Sequence, residues 1–487
     1  ASIRSRVSME SSGAWVSGRK YELYVKGTDS SIPTANVAYG LFRNFWYDVD
    51  KPTGTVLGLT DGAILAGLST ISGTAWDTSH FDPDVATSLD KVEISIYNSG
   101  FGYFTGSGWS VMTPLATGLN EGTLNGAQNR WEHNWTITPS TGWINNYSYE
   151  IRWLAQDKAA NQGATSLDNP YTPKIRFTMD LQAPAAVATS PANAGIYGAG
   201  SLNLYGTASD NQALDRVNLC LKNISNTPNK YWNGSFWQDN PGYDIWFSSE
   251  NLQNLGGNAT NFYYSGVNWV SASFELSARS LDDVGRWQSV ITTAAFTIDM
   301  QTPASSVTLP ENNKAYNNSG NPISSMQGVS SDDKSGIPNG GVEMWIRALG
   351  PAGELQWPTT YWNGTGWQNN AAPTWLPVSL GAGDLNRAWT YTTPNFSLLS
   401  GGGSGHRFRV QVRARDVANN QQTPSVENYF EYDIQVPTSS ILNPSDASEN
   451  SKWQYLNGLG KDPYPGVGLD ITQLLIIDRG TLNDGDY

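Results

Sequence analysis

The 487-residue chain is short of cysteine, charge and histidine, and each shortage narrows the class of protein. A single cysteine, Cys220, cannot form an intrachain disulfide. This excludes the small, disulfide-dense domains of secreted eukaryotic proteins. Bacterial surface proteins commonly avoid cysteine, so an exported bacterial protein fits this count. Cys220 alternates with Asn218 and Lys222, and this phase predicts a passive thiol on the polar face of a strand.

Motifs that carry enzyme chemistry are absent as well. The three histidines, His80, His133 and His406, form neither a His-Glu-x-x-His pattern nor a pair at metal-ligand spacing. The chain contains no nucleophile elbow and no phosphate-binding loop. We therefore predict that it is not an enzyme. No run of about 18 apolar residues occurs, so no membrane insertion is expected in this segment, and no signal peptide is visible.

Charged residues make up only 15% of the chain, and their formal net charge is −14. An acidic surface repels phosphate backbones and anionic lipids, so nucleic acid and membrane surfaces are not expected partners. The same charge keeps a long repeat array soluble and leaves carboxylates available for divalent cations.

Glycine, proline and large aromatic residues are abundant, with 49 Gly, 25 Pro, 20 Trp and 23 Tyr. Glycine and proline punctuate turns, and aromatic side chains suit the half-buried surfaces of sheets. No long segment has the 3.6-residue apolar period of a helix. The composition therefore predicts an all-β chain.

A motif of the form Asp-x-x-x-Pro recurs roughly every 120 to 130 residues. Each copy follows an aromatic, alternating run, and proline ends a ladder because it lacks an N–H group. We interpret each run as the last strand of a domain. The copies are Asp48–Pro52, Asp180–Pro184, Asp299–Pro303 and Asp433–Pro437.

Three further motifs recur in step with the first. A strand of the form apolar-x-Gly-x-small-x-Asp ends at Asp77, Asp210, Asp332 and Asp462. An aromatic hairpin ending in Gly-x-x-Trp has its turn at Gly106, Gly234 and Gly364. Its rings are expected to pack across the hairpin, the alternative being a platform on which sugars stack. The fourth motif is a strand that ends in an acidic turn, at Asp29, Asp157, Asp282 and Asp416.

The turn that follows the strand of the fourth motif differs between copies. Two copies continue as Asp-x-x-x-Asn, to Asn161 and Asn420. The copy at Asp282 departs from this pattern, so the motif does not predict its turn geometry.

The order of these motifs resembles the bacterial immunoglobulin-like repeats of very long surface and adhesin-type proteins. The resemblance covers essentially the whole chain and implies tandem immunoglobulin-like Greek-key β-sandwiches in an elongated array. The predicted boundaries give a C-terminal half-domain, three complete domains and an N-terminal half-domain, at residues 1–51, 52–183, 184–303, 304–437 and 438–487. We expect the two halves to belong to a longer array. Head-to-tail complementation between copies is the alternative.

One set of residues resembles a binding site. In an immunoglobulin-like fold, the loop after the second strand and the loop before the last strand lie at the end where the preceding domain arrives. Carboxylates from two domains should therefore meet at each junction, where Ca²⁺ would stiffen the rod. The alternative is that each aspartate caps its own turn. The residues concerned are Asp48, Asp77 and Asp157, then Asp180, Asp210 and Asp282, then Asp299, Asp332 and Asp416.

These features predict a stalk, filament or sheath element at a bacterial cell surface, with other copies or neighbouring repeats as partners. The alternative is an array that binds surface glycans or proteins through exposed aromatic residues. Trp345 is the best candidate for such a residue, because it occupies the polar phase of its strand, where Ser95 and Cys220 lie in other units.

Overall fold

A computed structural model describes most of the chain. Two short 3₁₀ turns, Phe396–Leu398 and Ser400–Gly403, are the only helical segments in the described part, and β-strands form the rest of the regular structure. The described residues are 15–40, 43–77, 89–105, 108–110, 119–129, 132–137, 142–163, 174–198, 200, 202–249, 257–351, 358–445, 455–463 and 468–477.

The first strands form two small antiparallel sheets, in which β1 pairs with β4 and β2 with β3. These strands are β1 (Arg19–Leu23), β2 (Lys26–Thr28), β3 (Val37–Tyr39) and β4 (Arg43–Tyr47).

Ten strands then build the first sandwich. They are β5 (Thr53–Leu57), β6 (Ala63–Leu65), β7 (Ile71–Trp76), β8 (Leu89–Asn98), β9 (Gly102–Phe104), β10 (Trp109–Ser110), β11 (Leu119–Asn129), β12 (Glu132–Ile137), β13 (Ser148–Asp157) and β14 (Lys174–Met179). Their order is β5-β7-β12-β11-β8-β13-β14-β6, with the β9–β10 hairpin attached to β8. The long strand β11 pairs with both β12 and β8 and so joins the two faces.

The second sandwich consists of two separate sheets. Its strands are β15 (Ala185–Ser190), β16 (Ile196–Tyr197), β17 (Leu204–Ser209), β18 (Leu214–Asn223), β19 (Lys230–Trp232), β20 (Trp237–Asp239), β21 (Phe247–Ser248), β22 (Ala259–Tyr264), β23 (Ala272–Asp282) and β24 (Thr293–Ile298). One sheet has the order β15-β17-β22 and the other β16-β24-β23-β18-β19-β20, with β21 paired to β18.

The third sandwich has the same topology, with one additional short strand at the edge of its smaller sheet. Its strands are β25 (Ala304–Leu309), β26 (Lys314–Tyr316), β27 (Ser325–Ser331), β28 (Val342–Pro351), β29 (Thr360–Trp362), β30 (Trp367–Asn369), β31 (Leu376–Pro377), β32 (Ser379–Leu380), β33 (Asn386–Thr392), β34 (His406–Ala414) and β35 (Asn428–Tyr432). The sheet orders are β25-β27-β33-β32 and β26-β35-β34-β28-β29-β30. A final antiparallel pair, β36 (Thr438–Asn443) and β37 (Asn457–Lys461), follows.

The first two strands of each sandwich have different neighbours. The first strand pairs antiparallel with the third, whereas the second runs parallel to the last strand, as β6–β14, β16–β24 and β26–β35. Each last strand ends at the residue before the Asp of Asp-x-x-x-Pro. The motif therefore marks the exit from one sandwich toward the next.

Each sandwich has its own hydrophobic core, and a stacked aromatic pair joins its last two long strands. Such rings contribute beyond their buried area when they are offset-stacked. The ring centroids are 5.5 Å apart for Tyr149–Phe177, 5.5 Å for Phe274–Phe296 and 5.0 Å for Phe408–Phe430. Tyr21 and Phe45 form the same stack at 5.7 Å on β1 and β4.

The aromatic hairpins belong to these cores. Trp232 contacts Trp237 across the turn with ring centroids 5.5 Å apart, and its indole N–H donates to the Tyr264 hydroxyl at 3.1 Å. Gly234 has φ 99°, a conformation that favours glycine. Because the Trp232 side chain is buried, it is a core residue and does not form a sugar platform. Trp362 makes the equivalent contacts in the third sandwich, with Trp367 and Tyr391; Gly106 lies outside the described residues.

The glycine of the Gly-x-small-x-Asp motif allows a large ring to lie against the backbone. Gly206 pairs directly with Phe262, and Gly328 with Trp389. A Cβ atom at either glycine would lie less than 3.0 Å from the partner ring and from a main-chain oxygen of the strand on the other side. The sequence motif therefore marks the point where a core aromatic residue covers the neighbouring strand.

Residues 474–477 form an apolar run near the end of the chain. The run has no strand geometry, and all four side chains are more than half exposed. A strand requires a hydrogen-bonded neighbour, and none of the described residues pairs with this run.

Candidate cation sites between consecutive sandwiches

An aspartate follows each last strand and is held by its own sandwich. The main-chain N–H of Asp180 donates to the Leu65 carbonyl oxygen on β6, and that of Asp299 to Tyr197 on β16, both at 2.9 Å. The Asp180 Oδ1 atom then accepts from the main-chain N–H of Gln182 at 3.2 Å, which caps the turn into the next sandwich. The linker carboxylate is thus fixed where two sandwiches meet.

The next sandwich contributes two aspartates from loops at its near end. Asp210 follows β17, and its Oδ2 atom accepts from the Gln212 N–H at 2.7 Å. Asp282 ends β23, and its Oδ1 atom accepts from the Arg286 N–H at 2.6 Å. Both loops are tight turns in which the carboxylate accepts a main-chain hydrogen bond. This bond sets the direction of each carboxylate group.

The structure brings these side chains together at three successive junctions. In each group, every residue offers one carboxylate oxygen, and these oxygens all lie within 4.8 Å of one another. The groups are Asp48, Asp77 and Asp157 at the first junction, Asp180, Asp210 and Asp282 at the second, and Asp299, Asp332 and Asp333 at the third.

The third group differs by one member from the sequence expectation. Asp333 stands where Asp416 was expected, because the third sandwich has two adjacent aspartates at the end of β27. Asp416 is nevertheless buried close by: burial raises the pKa of its carboxyl group, and the charges of Asp299 and Asp332 raise that pKa further. The third junction therefore has a fourth carboxylate next to the group.

Burial and mutual repulsion act on these carboxylates together. Burial raises the pKa of Asp282, and the charges of Asp180 and Asp210 raise it further. Burial also raises the pKa of Asp157, with a further contribution from Asp48 and Asp77. A raised carboxyl pKa means that the environment disfavours the anion. A cation in the cluster would relieve that penalty.

Capping of local turns explains only part of this arrangement. Asp210 Oδ1, Asp282 Oδ2 and Asp332 Oδ1 are buried oxygens without a hydrogen-bond partner among the described residues. Asp282 is only 1% exposed. An unpaired buried oxygen carries a desolvation penalty of about 1–3 kcal/mol, and more when it is charged. Carboxylate oxygens from two domains match the ligand preference of Ca²⁺, so the residues present fit such an ion.

The turn at Asp282 retains the backbone geometry of the other two despite its different sequence. The Asp282 N–H donates to the Arg286 carbonyl oxygen at 3.1 Å. Asp157 with Asn161 and Asp416 with Asn420 form the same bond at the same distance.

The prediction that Trp345 is exposed is wrong. Its side chain is 3% exposed and lies against Tyr361 and Trp375, with the Arg409 guanidinium 5.0 Å from its ring centroid. Trp375 immediately precedes β31, which pairs with the edge of β28 and so covers this face. Alternation along β28 alone does not reveal a cover supplied by a later segment.

The same correction applies to Cys220, which occupies the equivalent position on β18. It is 1% exposed, not on an open polar face. Burial raises the pKa of its thiol to about 12, so the thiol stays protonated and unreactive at neutral pH.

A close backbone approach across the third junction gives a testable prediction. A Cβ atom at Gly198 would lie less than 3.0 Å from the Ala418 carbonyl oxygen, which belongs to the next sandwich. We expect Gly198→Ala to separate the second and third sandwiches at a cost of about 1–3 kcal/mol in their contact. Small-angle X-ray scattering should show a changed maximum dimension, and limited proteolysis faster cleavage near residues 300–304.

Gly200→Ala is the matched control, because a Cβ atom there meets nothing within 4 Å. Equal behaviour of the two variants would show that the approach of Gly198 to Ala418 does not hold the junction.

No protein-family model matches the chain, and no curated protein matches it. It is similar to many solved structures. A tetra-tandem repeat in the extending region of a large adhesion protein is 16% identical, with 85% of this chain and 82% of that chain covered and a TM-score of 0.28. The protocadherin gammaB7 EC3-6 structure is 12% identical, with 85% of each chain covered and a TM-score of 0.32.

The fibronectin(III)-like modules of Clostridium thermocellum CbhA are 13% identical, with 51% of this chain and 95% of that chain covered and a TM-score of 0.24. The sheet orders of the three sandwiches define the class directly: the chain is an array of tandem β-sandwich domains. Among the described residues, no helix is long and apolar enough to cross a lipid bilayer.

Proposed function

We propose that this chain is a non-catalytic structural and adhesive segment of a very long extracellular protein of a bacterial surface. Its units, at residues 52–183, 184–303 and 304–437, act as spacers in a stalk, filament or sheath. Residues 1–51 and 438–487 contribute the trailing and leading halves of further units. Neighbouring repeats or other copies are the partners.

The observation that carries this proposal is the carboxylate cluster at three successive junctions. Each cluster joins an aspartate from the end of one segment to aspartates of the next sandwich. A Ca²⁺ ion bound there would have ligands in both and would restrict bending between them. A site repeated at every junction suits a mechanical role, because its effect accumulates along the array.

The expected calcium affinity and the composition both agree with an extracellular setting. Extracellular calcium modules work with dissociation constants of about 0.1–1 mM, which three carboxylates and water can supply. The low cysteine count agrees with a bacterial surface protein. A glycan-binding array built on Trp345 has no support, because that ring is buried.

Calcium titration of the full chain tests the proposal. After removal of metal with EDTA, we expect CaCl₂ to release heat in isothermal titration calorimetry. It should also raise the melting temperature of the chain and narrow the range of shapes in small-angle scattering. At a free Ca²⁺ concentration 100 times the dissociation constant of a junction, binding there stabilises the folded chain by about 2.7 kcal/mol.

Two variants of the full chain separate site binding from general charge effects. A triple variant, Asp77→Asn with Asp210→Asn and Asp332→Asn, removes one carboxylate from each cluster and should lose the calcium response. Asp239→Asn neutralises an exposed aspartate away from the junctions and should keep the response. Absence of heat and of a thermal shift in the unsubstituted chain would refute cation binding at the junctions.

A further inference from the structure

The residue four places after the aspartate of each acidic turn differs between the three junctions. It is Asn161 at the first, Arg286 at the second and Asn420 at the third. At the first junction, the Asn161 Nδ2 atom donates to Asp157 Oδ2 at 2.9 Å and to the Asp48 carbonyl oxygen at 3.1 Å. At the third, the Asn420 Nδ2 atom donates to Asp416 Oδ2 and to the Asp299 carbonyl oxygen, both at 2.8 Å. One amide thus ties the turn of a sandwich to the linker that precedes it; we term this contact the amide bridge.

The second junction has no amide bridge, because Arg286 occupies the position of the asparagine. Its main-chain N–H still caps Asp282 Oδ1, as the asparagine N–H groups cap Asp157 and Asp416. Its guanidinium donates instead to the Ala66 carbonyl oxygen of the first sandwich.

The oxygen that an amide would have satisfied is left unpaired at this junction. Asp282 Oδ2 is buried without a hydrogen-bond partner, and so is Asp210 Oδ1 in the same cluster. Gln212 and Arg286 both donate across the second junction, to Asn146 and Ala66, but neither pairs with these two oxygens. At the third junction, one cluster oxygen, on Asp332, is in this state.

This difference has an energetic consequence. An amide N–H₂ group between a carboxylate and a carbonyl supplies part of the positive charge that a cation would supply. At the first and third junctions the amide already pairs with one oxygen of the acidic turn, on Asp157 and Asp416. The second junction lacks that amide and has two bare, buried oxygens where the third has one, so a cation there relieves a larger penalty.

We propose that the amide bridge is a built-in substitute for the cation. The first and third junctions stay closed without a metal ion, whereas closure of the second depends on a divalent cation, which it binds most tightly. The existence of the sites rests on the proposed function, and the ranking of the junctions is the new statement.

Calcium titration of single variants of the full chain tests the ranking. We expect Asp210→Asn to remove the tightest binding step, while Asp77→Asn and Asp332→Asn leave it in place. Arg286→Asn installs the asparagine found in the other two units, so the variant should fold. It should weaken calcium binding at the second junction about tenfold, the effect of one hydrogen bond.

A second measurement examines the bridge without metal. In EDTA, hydrogen–deuterium exchange should be fast in the linker at residues 181–184 and slow in the linker at residues 300–303. Asn420→Ala should make the latter fast in EDTA, and calcium should restore its protection. Asn370→Ala, at an exposed site in the same sandwich, is the control and should change neither linker.

The outcomes separate the two proposals. Three equivalent sites, with affinities unchanged by Arg286→Asn and linker exchange unchanged by Asn420→Ala, would overturn the ranking and leave calcium binding intact. Absence of any calcium binding in the unsubstituted chain would overturn the proposed function together with the ranking.

Discussion

Replacement of Gly328 by alanine is expected to destabilise the third sandwich by about 3 kcal/mol, at the upper end of the usual cost of overpacking a core. The added methyl group would lie less than 3.0 Å from the Ser306 carbonyl oxygen and from the Trp389 ring. Trp389 is fully buried and pairs directly with Gly328, so its ring cannot shift away from the added methyl group. The backbone of β25 has no more freedom, because it is paired to the same strand.

Hydrogen–deuterium exchange of the full chain measures this effect in one sandwich at a time. Amides of β27 and β33 should lose protection, while β17 and β22 of the second sandwich serve as an internal reference. Gly366→Ala is the matched control, because its Cβ atom would approach nothing closer than 3.7 Å. Equal protection in the two variants would mean that the glycine is not needed for the ring to pack.

Truncation of Phe408 to alanine should have an effect at least as large, about 3–5 kcal/mol. The ring is fully buried, lies 4.7 Å from the Phe396 ring and 5.0 Å from the Phe430 ring between centroids, and joins the last two long strands. Its removal leaves a cavity enclosed by rigid rings that cannot collapse into it.

Denaturant unfolding followed by exchange at β34 and β35 would measure this loss. Phe236→Ala makes the same chemical change at a side chain that is 60% exposed, and should alter stability by less than about 0.5 kcal/mol. A loss below 1 kcal/mol for Phe408→Ala would show that the aromatic stack is dispensable.

Much of the architecture could be predicted from motifs that repeat in a fixed order. The strand ends just before Asp180, Asp299 and Asp433 follow from proline and from the alternating runs, which are local properties. The hairpin at Gly234 follows from Asn-Gly between aromatic residues. By contrast, the alternation that placed Trp345 on an open face was misleading, because its cover comes from Trp375, about 30 residues later in the chain.

The sequence by itself determined the all-β class, the repeat order and the aspartates that meet at the first two junctions, since period-2 patterning and turn residues act over a few positions. Only the tertiary structure decided which carboxylate oxygens are paired. Asn161 and Asn420 satisfy an oxygen that stays bare beside Arg286, and Asp333 joins a group where Asp416 was expected. Such pairing depends on a linker, a strand end and a turn from separate parts of the chain, whose distances are set by packing rather than by any local pattern.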